Sequence, residues 1–184
     1  IRYDHELKAN NRVLKNIISL KKKFKNIEIF DHHEAHAASA YFFSGWNKCY
    51  VLTIDGWGDN SSSKFYKAEN RRLKELSKTH TIDSLGYFYG SITKLLGYKP
   101  HRHEGKILGL AAYGNPKKAY PYISKMISYD KLNKCFKGNF EKGIYISNYN
   151  NPNLKFLKKK FSPADIAAAA QKRIEEVIIQ FIKD

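Results

Sequence analysis

Cysteine is almost missing from this sequence, and long apolar runs are missing altogether. The two cysteines, Cys49 and Cys135, lie far apart and form no Cys-x-x-Cys unit, which argues against a disulfide framework and against a zinc site built on thiolates. No apolar stretch reaches the roughly 18 residues that a membrane-spanning helix needs. The first residues, IRYDHELKANN, are charged and carry no signal-like segment. We therefore expect a cytoplasmic protein without a membrane span.

Acidic residues are scarce relative to basic ones. There are 17 Asp and Glu against 33 Lys and Arg, and the formal net charge is +16. Such an excess can indicate nucleic-acid binding. The lysines are scattered, however, and the densest runs, at 21–23 and 158–160, fall at predicted helix ends or loops, where cations complement the helix dipole. We do not expect dedicated nucleic-acid binding, although a non-catalytic basic binding protein stays open as an alternative.

Apolar spacing in the first half of the chain predicts helices alternating with short strands. The predicted elements are a helix at 5–24, a short buried strand at 27–30, a closely packed helix at 32–43, and strands at 49–55, 61–68 and 73–81. A hairpin turn at 69–72 joins the last two strands, which gives a three-stranded antiparallel meander. Asp55-Gly56 is predicted to open a turn directly after the first of these strands.

The second half is helical at both ends and weakly patterned between them. We predict helices at 84–96, at 107–114 after a loop at 98–106 that carries the helix start, at 119–127 and at 162–184, with short strands or long loops over 130–160. Ser162, Pro163 and Asp165 form a capping-box-like start to the last helix. The chain lacks an initial Met and stops inside a helical pattern, so we expect a fragment of a longer mixed α/β protein.

The string DHHEAHAASAYFFSG places His32 and His36 four residues apart, on one face of the predicted helix. Two imidazoles at this spacing can bind one metal ion. The string is not His-Glu-x-x-His, so a metalloprotease would lack its general base. Asp55, at the end of a buried strand, is costly to bury unless it is paired or metal-bound. A His/His/Asp site for iron(II), zinc or manganese is therefore predicted, with a plain helix start as the alternative.

Two glycine-containing stretches are candidates for binding a nucleotide. Gly56 and Gly58 would let the backbone approach phosphate oxygens, although a plain turn explains a lone Gly-x-Gly equally well. His103 and Glu104-Gly105-Lys106 come just before a predicted helix, where Lys106 could neutralise a phosphate. A solvated Glu–Lys pair is the alternative explanation for these residues.

Three motifs in this order resemble a known family, the O-carbamoyltransferases of nodulation-factor and antibiotic biosynthesis. They are DHHEAHAASAYFFSG, VLTIDGWGD and GYFYGSITKLLGYKPHRHEGKILGLAAYG, and the final helix SPADIAAAAQKRIEEVI matches too. The resemblance implies an actin-like, ribonuclease H-like ATPase fold, shared with tRNA threonylcarbamoyladenosine synthases. Residues 1–184 would then be a fragment of that domain, with a core at 27–120 and a variable, insertion-like part at 120–160.

The resemblance also implies the reaction and the roles of single residues. Carbamoyl phosphate and ATP would give carbamoyladenylate, whose carbamoyl group is passed to a hydroxyl-bearing acceptor such as a sugar or metabolite beside a metal, usually iron. His32, His36 and Asp55 match the metal ligands. Gly56, Gly58 and the stretch 104–106 match nucleotide-side positions. His33 would lie behind the ligands or face solvent, and either His33 or His103 would take the acceptor proton.

Parts of the family pattern are not in this chain. A further histidine, a later acidic ligand and the adenylate-forming domain are missing, so we expect the remainder of the same polypeptide as partner and no transfer by this chain alone. A tRNA threonylcarbamoyladenosine-type synthase stays an alternative, although that family has Ser-Gly-Gly-His-Thr where this chain has 55–59, DGWGD. An actin-fold ATPase or sugar kinase is the other alternative.

Overall fold

A computed structural model describes residues 2–24, 26–139, 149 and 152–184. The chain divides into two compact units, residues 1–31 and 32–184. The first unit contains helix α1 (Arg2–Lys23), which confirms the helix predicted at 5–24. The strand predicted at 27–30 is wrong, since these residues have no regular structure and Ile29 and Phe30 are 67% and 66% exposed. A short apolar run forms a strand only when a neighbouring strand pairs with its backbone.

The second unit is built around a three-stranded antiparallel sheet. Its strands are β1 (Lys48–Gly58), β2 (Ser61–Glu69) and β3 (Arg72–His80), paired in the order β1–β2–β3. The predicted meander is therefore confirmed. Asn70 and Arg71, both at positive φ, form the tight turn between β2 and β3, as the prediction of a hairpin at 69–72 requires.

Strand β1 continues past the point where a turn was predicted. Asp55-Gly56 does not open a turn, because β1 runs on to Gly58 and the reversal is made by Asp59 and Asn60, at φ 46° and 64°. The pairing of β1 with β2 shifts between Ile54 and Gly58. Glycine inside a strand often marks such a bulge, and here the bulge explains why the Asp-Gly signal for a turn is misleading.

Most of the remaining helices and strands follow the predicted order, but the helix at Lys155–Lys160 does not, because short strands or long loops were predicted over 130–160. The helices are α2 (His32–Ser44), α3 (Leu85–Leu95), α4 (Glu104–Ala111), α5 (Pro116–Ile123), α6 (Lys155–Lys160) and α7 (Pro163–Lys183), and the strands β4 (Ile127–Asp130) and β5 (Cys135–Gly138) pair antiparallel. Helix α5 starts and ends earlier than the predicted 119–127, because Asn115 caps it and Pro116 occupies its first turn. Residues 140–148, 150 and 151 of the weakly patterned stretch lie outside the described residues.

Helix α7 begins as the sequence predicts, with the Ser162 hydroxyl accepting the Asp165 N–H at 3.1 Å. The Asp165 carboxylate also accepts the backbone N–H of Asn115, at 2.7 Å, and the ammonium group of Lys118, at 3.2 Å. Ser162 therefore caps α7, while the Asp165 carboxylate ties the start of α5 to the start of α7.

Within the part of the chain that the structure describes, apolar side chains form two clusters. The larger one joins α3, α4, α5 and α7 and includes Phe88, Ile92, Ile107, Ile123 and Ile166. The smaller one lies between α2 and the sheet and consists of Ala37, Tyr41, Val51, Tyr66 and Ala68. The small side chain of Ala37 is buried there, which lets α2 pack closely on the sheet and brings its first turn next to the end of β1. No helix among the described residues is long and apolar enough to cross a membrane.

Candidate metal centre

The first turn of α2 presents two imidazoles to the same side. His32 and His36 are one helical turn apart, and their ring centroids lie 4.6 Å from each other with an interplanar angle of 86°. Their Nε2 atoms are 3.2 Å apart. The two nitrogens are thus close enough to act on one small ligand, as the four-residue spacing predicts.

Asp55 completes the cluster from strand β1. Its Oδ2 lies 2.9 Å from Nε2 of His32 and 3.8 Å from Nε2 of His36. Among the described residues this is a group of side chains that could hold a metal ion, with all three ligand atoms within 4.8 Å of one another. The side chains of His32, Asp55 and His36 are 38%, 44% and 57% exposed, so a hydrated ion can reach them.

The spacing of the three atoms fits the size of a transition-metal ion. A metal–nitrogen bond of about 2.0–2.1 Å places neighbouring ligand atoms about 2.9–3.4 Å apart in octahedral or tetrahedral coordination. The two shorter observed separations, 2.9 and 3.2 Å, fall in that range, and the third, 3.8 Å, is slightly wider. Two imidazoles and one carboxylate also form the donor set that iron(II), zinc and manganese accept.

The Asp55 carboxyl is kept ionised by its neighbours. Burial by itself would raise its pKa, but the hydrogen bond with His32, the Gly56 N–H at 2.5 Å from Oδ1 and the electrostatic interaction with His32 and His36 together lower the pKa below its usual value. The group is therefore an anion at neutral pH. An anionic carboxylate beside two imidazoles is the protonation state that a cation requires of its ligands.

Glycines in β1 and α3 make room for this arrangement. A Cβ atom built on Gly58 would lie 2.0 Å from Cδ2 of His32, so the imidazole packs directly on the glycine backbone. A Cβ on Gly86 would lie 2.8 Å from Cα of Gly56, and the Ser84 hydroxyl donates to the Asp55 carbonyl at 3.2 Å. The predicted nucleotide-binding residue Gly58 thus has a direct structural role next to His32, whereas a Cβ added to Gly56 would have no atom within 4 Å.

His33 faces the opposite way from the two other histidines. It is completely buried, its Nδ1 lies 2.9 Å from the Thr53 hydroxyl, and its Nε2 lies 3.1 Å from the Ser61 carbonyl. Of the two alternatives expected for His33, exposure to solvent is therefore wrong, since both ring nitrogens bond to the β1–β2 hairpin, whereas a position behind the candidate ligands stays a prediction. This arrangement holds the start of α2 against the sheet. Sequence reasoning missed Thr53 and Ser61, because polar residues inside a predicted strand carry no signal of such a partner.

The second predicted group lies at the start of α4. The Lys99 N–H donates to Nδ1 of His103 at 3.2 Å, and the His101 N–H donates to Oε1 of Glu104 at 2.7 Å. Gly105 has no atom within 4 Å of the Cβ that a larger residue would carry, and Lys106 is exposed. Among the described residues, they do not belong to the group of possible metal ligands formed by His32, His36 and Asp55. Their contacts with a nucleotide stay a prediction.

Tyr87, which sequence reasoning also missed, connects these two regions. Burial, and then the nearby Asp55 charge, raise the pKa of its phenol. Its ring lies 5.7 Å from that of Tyr149, whose hydroxyl is 2.7 Å from Nε2 of His101. A row of aromatic side chains therefore runs from beside Asp55 to the loop that precedes α4. In the sequence, Tyr87 is marked only by its position near the start of a predicted helix that follows the strands.

Comparison with known proteins gives one family over nearly the whole chain. A family model described as "Carbamoyltransferase N-terminus" matches residues 3–183. The protein MJ1058 of Methanocaldococcus jannaschii is 32% identical in an alignment 186 residues long, which covers 89% of this chain and 29% of MJ1058. The nodulation protein NolNO of Sinorhizobium fredii is 40% identical over 90 residues, which cover 49% of this chain and 13% of NolNO. The chain spans less than a third of the length of either relative.

Proposed function

Because the chain belongs to the carbamoyltransferase N-terminus family, we propose that it forms part of an enzyme that transfers a carbamoyl group to a hydroxyl of a sugar or another metabolite. The proposed donor is carbamoyladenylate, made from carbamoyl phosphate and ATP. The observation that carries the proposal is the convergence of His32, His36 and Asp55. The remainder of the same polypeptide is the proposed partner that completes the site.

The three converging side chains are the proposed ligands of a divalent metal ion. Iron(II) is favoured by the resemblance to the family, and the same donor set accepts zinc or manganese. When bound, such a cation supplies positive charge that stabilises negative charge developing on the donor oxygens. The fit rests on the spacing of the ligand atoms, two of the three separations being 2.9 and 3.2 Å.

Other residues of the chain are proposed to bind and orient the donor. Gly56 has open space in which a phosphate can approach the backbone. Glu104, Gly105 and Lys106 begin α4, which His103 does not cap with its side chain, and the positive end of the helix dipole together with the Lys106 ammonium suits an anionic nucleotide. These roles rest on the motif and on the exposure of Gly105 and Lys106.

One histidine is proposed to take the proton of the attacking hydroxyl. His103 is the better of the two predicted candidates, because it is partly exposed and the hydrogen bond from Lys99 occupies only its Nδ1. His33 is less suitable, since both of its nitrogens already bond to the hairpin, and we propose that it positions α2. The deprotonated oxygen then attacks the carbamoyl carbon and AMP leaves.

The actin-like, ribonuclease H-like fold is part of the same proposal. Its support is the mixed α/β composition, with an antiparallel meander followed by helices that pack on it. The family match favours carbamoyl transfer over a sugar kinase or a threonylcarbamoyladenosine synthase. A magnesium-dependent kinase of this fold would also retain no transition metal after purification, which gives a practical distinction.

The test is the metal content of the complete polypeptide after purification. We expect the double variant His32→Ala/His36→Ala to lose its bound transition metal, and the transfer of labelled carbamoyl from carbamoyl phosphate to be lost with it. His80→Ala is the control, since His80 is an exposed histidine outside the cluster. Unchanged metal content in the double variant would overturn the proposal.

A further inference from the structure

The first backbone N–H of α2 is held by a residue far away in the chain. Helix N-termini have four N–H groups without partners inside the helix, and a nearby side chain usually caps them. Here the N–H of His32 donates to Oδ2 of Asp59, 27 residues later, at 2.7 Å. The contact is short and charge-assisted, and the carboxylate also meets the positive end of the helix dipole.

The backbone of the turn does not by itself require an aspartate at this position. Asp59 and Asn60 have φ of 46° and 64°, a conformation that glycine adopts at no steric cost and that Asp and Asn tolerate. Glycine would therefore serve the turn at least as well. What aspartate adds is a carboxylate that reaches the end of α2.

Three residues of one short segment meet different parts of His32. Asp55 contacts its Nε2, Gly58 lies under its ring, and Asp59 binds its backbone N–H. The segment 55–59 thus restrains three parts of His32: Nε2, which would bind the metal, the plane of the imidazole ring, and the backbone from which the side chain extends. Ligand distances in metal sites vary by only about 0.2 Å, so a frayed first turn would place Nε2 too loosely.

From this geometry we propose that Asp59 is a positioning residue of the metal centre, acting through the backbone of His32 and not as a ligand. The inference rests on the proposed function, because Asp59 can position a metal ligand only if His32 binds a metal ion. Asp59 does not belong to the cluster of possible ligands among the described residues. Its carboxylate is bound to the helix end, which is the place from which it can restrict the movement of His32.

Three variants in the full chain separate the cap from the turn. Asp59→Gly keeps a turn-compatible backbone and removes the acceptor, whereas Asp59→Asn keeps the turn and an acceptor oxygen. Asn60→Gly alters the same turn and leaves the cap in place. Two properties are measured for each: hydrogen exchange at the His32 amide in metal-free protein, and affinity for Co²⁺ together with its visible absorption spectrum.

We expect Asp59→Gly to speed exchange of the His32 amide by about 10-fold or more and to weaken Co²⁺ binding by about 10–100-fold, as supporting residues of metal sites usually do. The Co²⁺ spectrum should change as well, because His32 is no longer held in place. Asp59→Asn should recover most of both properties, and Asn60→Gly should resemble the wild type. A purely structural role would lower the melting temperature without changing the Co²⁺ spectrum.

Failure of this inference differs from failure of the proposed function. Wild-type exchange at His32 and wild-type Co²⁺ binding in Asp59→Gly would overturn the role of Asp59 while leaving the metal site intact. Absence of Co²⁺ binding by the wild-type protein would overturn both the metal site and the assigned purpose of Asp59. The hydrogen-exchange result would still show whether the cap itself exists.

Discussion

Substituting Gly58 by alanine is the sharpest steric test of the candidate metal centre. The new Cβ would lie 2.0 Å from Cδ2, 2.4 Å from Cγ and 2.8 Å from Nε2 of His32. Carbon atoms in ordinary contact are about 3.5–4.0 Å apart, so the imidazole must move by about 1.5 Å. The backbone of Gly58 is not in the left-handed region, so the substitution adds no conformational strain of its own.

A displacement of that size exceeds what a metal site tolerates. Ligand distances vary by about 0.2 Å, and His32 would therefore leave the ligand set. We expect Gly58→Ala to weaken Co²⁺ or Zn²⁺ binding by at least about 10–100-fold, or about 1.4–2.8 kcal/mol. Competition with a chromophoric chelator measures the affinity. Gly56→Ala is the matched control in this nucleotide-free assay, because no atom lies within 4 Å of its added Cβ.

A double-mutant cycle then identifies the cause of the effect. If the methyl group acts through the imidazole, Gly58→Ala should destabilise the protein much less when His32 is already alanine, because the clashing ring is gone. Urea unfolding of the four proteins in metal-free buffer gives the coupling free energy. Equal destabilisation in both backgrounds, or unchanged metal affinity in Gly58→Ala, would refute the reasoning.

Two further predictions concern the larger core and the joint between α5 and α7. Ile92→Ala should cost about 2–5 kcal/mol of unfolding free energy in urea, because Ile92 is fully buried, whereas Leu132→Ala, at a 90% exposed residue, should stay within about 0.5 kcal/mol. The pKa of Asp165 is lowered chiefly by the Asn115 N–H, with burial opposing and Ser162 and Lys118 assisting. A lowered pKa gives stability that is present above about pH 3.9 and is lost as the pH falls through the folded-state pKa. Asp165→Asn should therefore melt at a lower temperature than wild type at neutral pH, and the difference should vanish in acid; a constant difference from about pH 7 to about pH 2 would contradict this.

Local periodicity was sufficient to predict most of the helices and strands. Apolar alternation predicts β2 and β3, and Ser162 with Pro163 predicts the start of α7, because both signals act between residues that are close in the chain. The same reasoning failed at 27–30, where a strand depends on a partner that the local sequence cannot reveal. It also failed at Asp55-Gly56, since an Asp-Gly pair signals a turn and a strand bulge equally well.

In the candidate site too, some residues can be predicted from the local sequence and others depend on tertiary contacts. The pairing of His32 with His36 follows from helical spacing, and Asp55 is noticeable as an acid at the end of an apolar strand. The support for His32 is tertiary: Gly58 under the ring and Asp59 at the helix end depend on how α2 lies over the hairpin. Sequence reasoning predicted a nucleotide contact for Gly58 and missed its packing under His32, because a glycine near a phosphate and a glycine that makes room for a ring look identical in one sequence.

A hydrogen-bonded His–Asp pair is the simplest rival to a metal site, and the positions of the atoms argue against it as the whole explanation. Nε2 of His32 lies 2.9 Å from the Asp55 oxygen and 3.2 Å from Nε2 of His36. Neutral His32 carries at most one proton on that atom, so without a cation this single proton would have to be shared between the Asp55 oxygen and Nε2 of His36. A hydrogen bond between His32 and Asp55 also gives no reason for Nε2 of His36 to lie within 4.8 Å of both partners. The proposed cation would accept lone pairs from all three atoms at once, and it would then account for His36 as well as for the pair.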